Sequence, residues 1–202
     1  MVITWHGKTN FKIQAGETVL VIDPTSKGEI THAPRFRSDI VLLTQQATTG
    51  EKPADNAPFI ISGPGEYEAR SIVMTGAPVM ADENNGRDRG LATCYRLVWE
   101  DMRLAHMGAW RESALRGDTE EHIGSVDILF IPIENPAASA KAVREIEPSI
   151  VVPMNFDEEP ARLKAFAKEM NMSAPDPEEK LVIKKKDLAA GCATKIVVLK
   201  AV

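Results

Sequence analysis

The sequence predicts an α/β protein built from two stacked β-sheets flanked by helices. Three observations lead there: the first half reads almost entirely as short strands broken by Gly, Pro or Asn, strands alternate with helical periodicity beyond Gly108, and no short repeat is present. Two β-rich halves, each with helices toward its end, are the expected arrangement.

Taken in order, "VITWHG" and "FKIQAG" form a hairpin-like pair, and "TVLVIDP", "DIVLLT", "FIISGPGEYEA", "SIVMTGAPVMA", "ATCYRLVWE" and "MRLAHMG" follow as strands. Their β-branched and aromatic residues between turn-forming residues are the strand signal. In "NNGRDRG", residues 84–90, Asn-Gly tolerates the positive φ angles of a tight hairpin and should join two of these strands. Farther on, strands "VDILFIPI" and "SIVVPM" bracket "NPAASAKAVREIEP", where Ala140, Val143 and Ile146 recur at helical spacing. A second helix is expected over "EEPARLKAFAKEMN", with Leu163, Phe166, Ala167 and Met170 on one face and Pro160 in its first turn. "KLVIKKKDL" and "KIVVLKAV" are strand-like, and Lys184 to Lys186 read as a solvated strand end.

The chain of 202 residues is long enough for one sizeable core, and with no linker-like tract a single domain over 1–202 is expected. With 44% hydrophobic and 26% charged residues and a net charge of −5, nothing points to nucleic acid or a membrane as partner. No apolar run approaches the roughly 18 residues of a membrane span, and "MVITWHGKTNFKI" lacks a signal-peptide pattern, so a cytoplasmic location is expected. Cys94 and Cys192 lack CxxC spacing and read as reduced structural thiols.

Several landmarks, read together and in order, resemble the metallo-β-lactamase fold superfamily, specifically its branch of small predicted metal-dependent hydrolases related to the ascorbate-phosphate lactonases. They are "ITWHGKTNFKI", "VLVIDP", "DIVLLT", "ISGPGEYE", "LAHMG", "VDILFIPI", "PSIVVPMNF" and the ending "KLVIKKKDL" with "KIVVLK". The resemblance runs over nearly the whole chain and implies a four-layer αββα sandwich of the metallo-β-lactamase type.

It also implies where a metal site would lie. The superfamily carries Thr-His-x-His-x-Asp-His at a strand tip, and with Thr44 as the leading threonine those ligand positions fall on Gln45, Ala47, Thr49 and Gly50. The usual His-x-Gly-Asp becomes "HMGA", retaining His106 with Ala109 for the aspartate, and Pro-Met-His becomes "PMN", with Asn155 for the histidine. Residues 44–58 contain no histidine, and only Glu51 and Asp55 there offer carboxylates. A catalytic zinc needs roughly three protein ligands and an open position to lower the pKa of its water to about 7. One retained imidazole does not meet that need, so neither a metal nor another cofactor is expected.

The remaining candidates have bland and functional readings. His106 reads as a leftover ligand or a hydrogen-bonded structural residue, and Asp23 as a turn former or part of the old cleft. His6, His32 and His122 carry no clear chemistry, and Glu66 and Glu68 are an acid-base pair or simply part of a shaped turn. A vestigial cleft of Lys8, Asp23, Gln45, His106 and Asn155 is expected, with Lys8, which replaces a family histidine, contacting Asp23. The leading functional expectation is a non-catalytic binding or scaffold role toward a small molecule, a protein or a second copy of the chain. The rival is a hydrolase acting without the usual zinc site or through an unrecognised ligand set.

Overall fold

A computed structural model of the chain describes all residues except 27–28, 31–36, 46–57, 81–90, 113, 157–158, 160 and 189–192, and describes 26, 29, 30 and 91 by backbone alone. The first sheet begins with an antiparallel meander of β1 (Val2–Trp5), β2 (Phe11–Ala15) and β3 (Thr18–Ile22). A two-stranded ribbon of β4 (Thr25–Ser26) and β5 (Glu29–Ile30) follows, after which β6 (Ile40–Leu43) and β7 (Phe59–Ser62) extend the first sheet in parallel.

The second sheet runs antiparallel through β8 (Gly65–Ala69), β9 (Ile72–Met80), β10 (Leu91–Trp99) and β11 (Met102–His106). It continues in parallel through β12 (Ile128–Pro132) and β13 (Ile150–Met154). Near the end of the chain β14 (Leu181–Val182) returns to the first sheet beside β1, and β15 (Lys195–Ile196) joins β13. The orders are β14-β1-β2-β3-β6-β7 and β15-β13-β12-β11-β10-β9-β8.

Alternation in the sequence sets the facing of the sheets. Phe11, Ile13 and Ala15 are buried while Lys12 and Gln14 between them are half-buried, as expected of a strand with one face on a core. At the centre of each sheet the alternation stops: Ile40 to Leu43, Ile128 to Pro132 and Ile150 to Met154 are buried throughout, the mark of parallel strands covered on both faces. One hydrophobic cluster joins the inward residues of the first sheet to those of the second. Val21, Val41 and Leu43 are also buried but lie outside that cluster, on the other face of their sheet.

Helices α1 (Gly117–Ile123), α2 (Pro136–Ile146) and α3 (Ala161–Glu169) complete the α/β sandwich, α1 against β9 and β10, α2 against β12 and α3 against α2. Asn135 caps α2 by accepting from the Ala138 N–H at 3.2 Å, Pro136 fills the first turn, and Glu147 ends it in the left-handed region at φ 52°. The expected helix faces are buried at Ala140, Val143, Leu163, Phe166 and Ala167. Among the described residues no helix is long and apolar enough to cross a membrane.

Four expectations differ from the fold. All three helices of the described residues lie in the second half of the chain rather than at the end of each half. Helix α1 was not expected, because it is short and only Thr119 and Ile123 are buried, too few to write a periodic stripe. "FIISGPGEYEA" is two strands, split where Gly63 (φ 93°) and Gly65 (φ 151°) let the chain cross from one sheet to the other. The strand-like ending shrinks to two short pairings around a 3-10 turn, Lys185–Asp187. The turn at 84–90 and Pro160 lie outside the described residues, although β9 and β10, on either side of that turn, do pair antiparallel.

That 3-10 turn is held by Asp127, at the entry to β12. Its carboxylate accepts from the Arg103 N–H at 2.7 Å, from the Arg103 guanidinium at 3.0 Å and from Lys185 Nζ at 2.9 Å. Burial alone would raise its pKa, but these hydrogen bonds outweigh burial and hold it at about 2. A depressed native pKa stabilises the fold above the unfolded value and is lost as pH falls through the native one. Because Arg103 and Lys185 are partly solvated, Asp127→Asn should cost about 1–2 kcal/mol at pH 7. In urea denaturation the gap between variant and wild type should close as pH falls from 3.8 toward about 2.

Candidate functional site

Strands β3, β6, β11 and β13 end at one edge of the sandwich, and the β1–β2 turn reaches the same edge because Phe11 pairs with Ile22. In open α/β sheets this carboxyl edge is where ligand sites form. It carries Lys8 in the turn, Asp23 after β3, Gln45 after β6, His106 at the end of β11 and Asn155 after β13.

Asp23 is fully buried, and at φ 45° it occupies the left-handed region that Asp tolerates better than most residues. Its main-chain N–H donates to the Leu42 carbonyl at 2.9 Å. The carboxylate accepts from the Thr44 N–H at 2.7 Å and from the Thr44 hydroxyl at 2.5 Å. Burial raises its pKa to about 6, partly offset by these bonds and by the Thr9 hydroxyl.

His106 is also fully buried, between Phe11 and Phe130 with ring centroids 5.7 Å away in each case. Gly108 N–H donates to its Nδ1 at 3.1 Å, which assigns the proton to Nε2, and Nε2 then donates to the Thr9 carbonyl at 3.1 Å. Burial pushes its pKa down to about 3, against the smaller opposing effect of the bond to Thr9. The ring is therefore neutral at physiological pH, and both nitrogens are engaged with main chain.

Thr44 carries the contact across to the second sheet. Its carbonyl accepts from the Thr93 N–H on β10 at 2.7 Å, and beside it the Tyr95 hydroxyl lies 3.0 Å from the Leu43 carbonyl and 3.2 Å from that of Gly63. Gly108 closes the junction at φ 59°; a Cβ there would meet Thr44 Cβ and the Thr93 carbonyl, each at 2.9 Å.

Of the residues expected in the cleft, Asp23 and His106 are thus brought together through Thr9. Lys8 is exposed, with φ 49°, and its carbonyl accepts from the Trp5 indole at 2.9 Å. The expected Lys8 to Asp23 contact is not among the ion pairs of the described residues; Thr44 and Thr9 satisfy that carboxylate instead. Gln45 is half-buried beside Thr44, and Asn155, at φ 59°, has a buried Oδ1 without a partner. Ala47, Thr49, Gly50, Glu51, Asp55, His32 and Cys192 lie outside the described residues. Cys94 is a buried free thiol, pushed up to about 11 by burial. Tyr67, in "GPGEYE", directs its hydroxyl toward the carbonyls of Gly63 at 3.1 Å and Pro64 at 3.2 Å, while Glu66 and Glu68 are exposed.

A zinc ion does not fit the described residues. Among the described residues no group of three or more His, Cys, Asp or Glu converges. At those of the family's ligand positions that are described stand two amides, Gln45 and Asn155, a methyl at Ala109, and an imidazole whose nitrogens are both hydrogen-bonded. Sequence reasoning missed Thr9, Thr93 and Tyr95 and gave Thr44 no role beyond marking the loop. Their partners lie far away in sequence, as in Tyr95 to Leu43 at a separation of 52 and His106 to Thr9 at 97.

Gly108→Ala combines a left-handed φ with two close contacts and should destabilise by about 2–4 kcal/mol in chemical denaturation. Asp23, with a native pKa raised from 3.8 to about 6, stabilises less as pH rises through that window, whereas His106, lowered from 6.5 to about 3, stabilises more. The two slopes oppose each other. Asp23→Asn should expose the histidine slope alone, so its stability should rise more steeply than wild type between about pH 4 and 6 in a pH series of denaturation midpoints.

Solved structures share this fold. A protein from Thermotoga maritima proposed to be a Zn-dependent hydrolase of the metallo-β-lactamase superfamily superposes with a TM-score of 0.72 at 16% identity, covering 98% of this chain and 99% of its own. Igni18, a metallo hydrolase from Ignicoccus hospitalis, gives 0.60 at 13% identity over 91% and 99%. The metallo-β-lactamase fold protein YhfI from Bacillus subtilis gives 0.62 at 10% identity over 99% and 96%. At these identities the likeness concerns the fold. No curated protein sequence matches significantly. The sequence profile of the beta-lactamase superfamily domain matches residues 2–155, most of both sheets and the whole carboxyl edge, and the chain belongs to that family.

Proposed function

We propose that this chain is a non-catalytic member of its family, a pseudo-hydrolase of one domain over residues 1–202 that works by binding or as a scaffold. The observation that carries the proposal is His106. At the one ligand position where the chain keeps a histidine, the imidazole is fully buried with both nitrogens hydrogen-bonded to main chain, and withdrawing it for a metal would leave a buried carbonyl and a buried N–H unpaired. The neighbouring edge is occupied by the contacts of Thr44 with Asp23 and Thr93. The cytoplasm is the proposed location, in keeping with Cys94 as a buried reduced thiol.

The proposal is tested by metal analysis of protein purified without chelator and after incubation with zinc or manganese. Far less than one equivalent should survive dialysis, and the melting temperature should be the same with and without chelator. Stoichiometric zinc, or metal-dependent hydrolysis of a phosphodiester, lactone or β-lactam that His106→Ala abolishes, would replace this reading with that of a hydrolase.

A further inference from the structure

At one flank of the sandwich each sheet ends on a terminal strand, the first on β7 and the second on β8. Gly63 and Gly65 carry the chain from one to the other, and Arg70 reaches Asp39 at 3.7 Å, whose carbonyl accepts from the Phe59 N–H at 2.8 Å. The two edges therefore lie side by side, and among the described residues no strand pairs with the outer side of either.

The flank has an apolar side and an acidic side. Along β7, Phe59 shares a face with Ile61 and pairs with Ile40, two residues of the core between the sheets, yet it is 51% exposed because the sandwich ends there. Along β8, Tyr67 and Ala69 pack against that core, while Glu66 and Glu68 alternate with them on the opposite face and are exposed.

The β8–β9 hairpin fixes which main-chain groups are open. Ala69 and Ile72 flank a two-residue turn, Arg70 and Ser71 at φ 53° and 60°, and so form a hydrogen-bonded pair, as do Tyr67 with Met74 and Gly65 with Gly76. The N–H and C=O groups of Glu66 and Glu68 consequently point out from the sheet, a template for a further strand.

Charge selects what fits that template. A second copy pairing antiparallel through its own β8 would set glutamate against glutamate wherever these groups bond, and like charges directly opposite are destabilising. Of the nearby cations, Arg70 is directed to Asp39, and Arg96 lies two strands inward from Glu66, across Thr75. Opposite charges at the same positions would stabilise the pairing.

We propose that β8 is a docking edge for an extended segment of a partner protein. That segment carries Lys or Arg at two alternate positions, opposite Glu66 and Glu68, and apolar residues beside them that close over Phe59, Tyr67 and Ala69. Main-chain hydrogen bonds supply the pairing, the carboxylates select the charge, and Phe59 rewards an apolar side chain on the inner side. The flank is separate from the buried cluster of Asp23 and His106, and the inference does not depend on whether that cluster carries chemistry.

The test titrates the full chain with the end-blocked peptide Val-Lys-Val-Lys-Val and follows backbone amide NMR. Saturable shifts should appear at Phe59, Glu66 and Glu68 and be absent at Leu104, Ile128 and Val151 in the centre of the second sheet. Val-Glu-Val-Glu-Val should bind more weakly. Methylation of the two lysine N–H groups, which face β8 in the paired strand, should abolish binding. Glu68→Gln, at an exposed position, should weaken the lysine peptide roughly two- to fivefold, the range that one exposed ion pair supplies. Phe59→Ser should weaken both peptides, and the double variant Glu66→Lys, Glu68→Lys should reverse the preference between them. Absence of saturable shifts, equal or tighter binding of the glutamate peptide by wild type, or full binding of the methylated peptide would each overturn the proposal. So would undiminished binding of the lysine peptide by Glu68→Gln. Shifts of the same amides that grow with protein concentration alone would also overturn it, by making a second copy the occupant.

Discussion

The buried carboxylate of Asp23 is the constraint around which the carboxyl edge is organised. A carboxylate removed from water is costly unless it is hydrogen-bonded, and among the described residues the groups that offset its burial are hydroxyls and a main-chain N–H. Thr44 meets the need with both its N–H and its hydroxyl, and Thr9 adds a third bond. Because two bonds from one residue fix that residue's position, the Thr44 carbonyl is aimed at β10, where it receives the Thr93 N–H. A polar requirement at one strand tip thereby becomes a tie between the two sheets.

His106 belongs to the same arrangement. Thr9 offers its hydroxyl to Asp23 and its carbonyl to His106, so one turn residue serves a carboxylate from the first sheet and an imidazole from the second. Hydrogen bonds of this kind, charge-assisted at the Asp23 carboxylate and neutral at His106, are directional, and they hold the edge by number and burial. An ion-centred site would draw the same side chains toward a point. Here Asp23 bonds to the hydroxyls of Thr44 and Thr9 and to one main-chain N–H, and His106 bonds to main chain.

Much of this was legible in the sequence. The strands of both sheets, helices α2 and α3 and the family followed from hydrophobic alternation, helical spacing and ordered landmarks, because each is written in neighbouring residues. What could not be read was pairing at a distance. Nothing local in "ATCYRL" says that the Tyr95 hydroxyl will reach Leu43, and nothing in "GKTN" says that the Thr9 carbonyl will receive a histidine 97 residues later. The expected partner of Asp23 was a lysine because charge suggested it. Two threonine hydroxyls and one main-chain N–H served instead, since they could be buried with the carboxylate at less cost than an ammonium.

Strand β1 lies between β2, which follows it at once, and β14, whose residues Leu181 and Val182 come near the end of the chain. Met1 and Ile183 exchange hydrogen bonds across 182 positions, and Val202 donates to the Trp5 carbonyl at 3.0 Å. On a ribosome adding about 5–20 residues per second, the outer edge of β1 would wait on the order of ten seconds for its partner. During that interval a row of unpaired N–H and C=O groups faces outward, open to a nascent neighbour on the same message. The closing segment therefore acts as a latch in time as well as in space, and synthesis halted before Leu181 would release a chain with a sticky first strand.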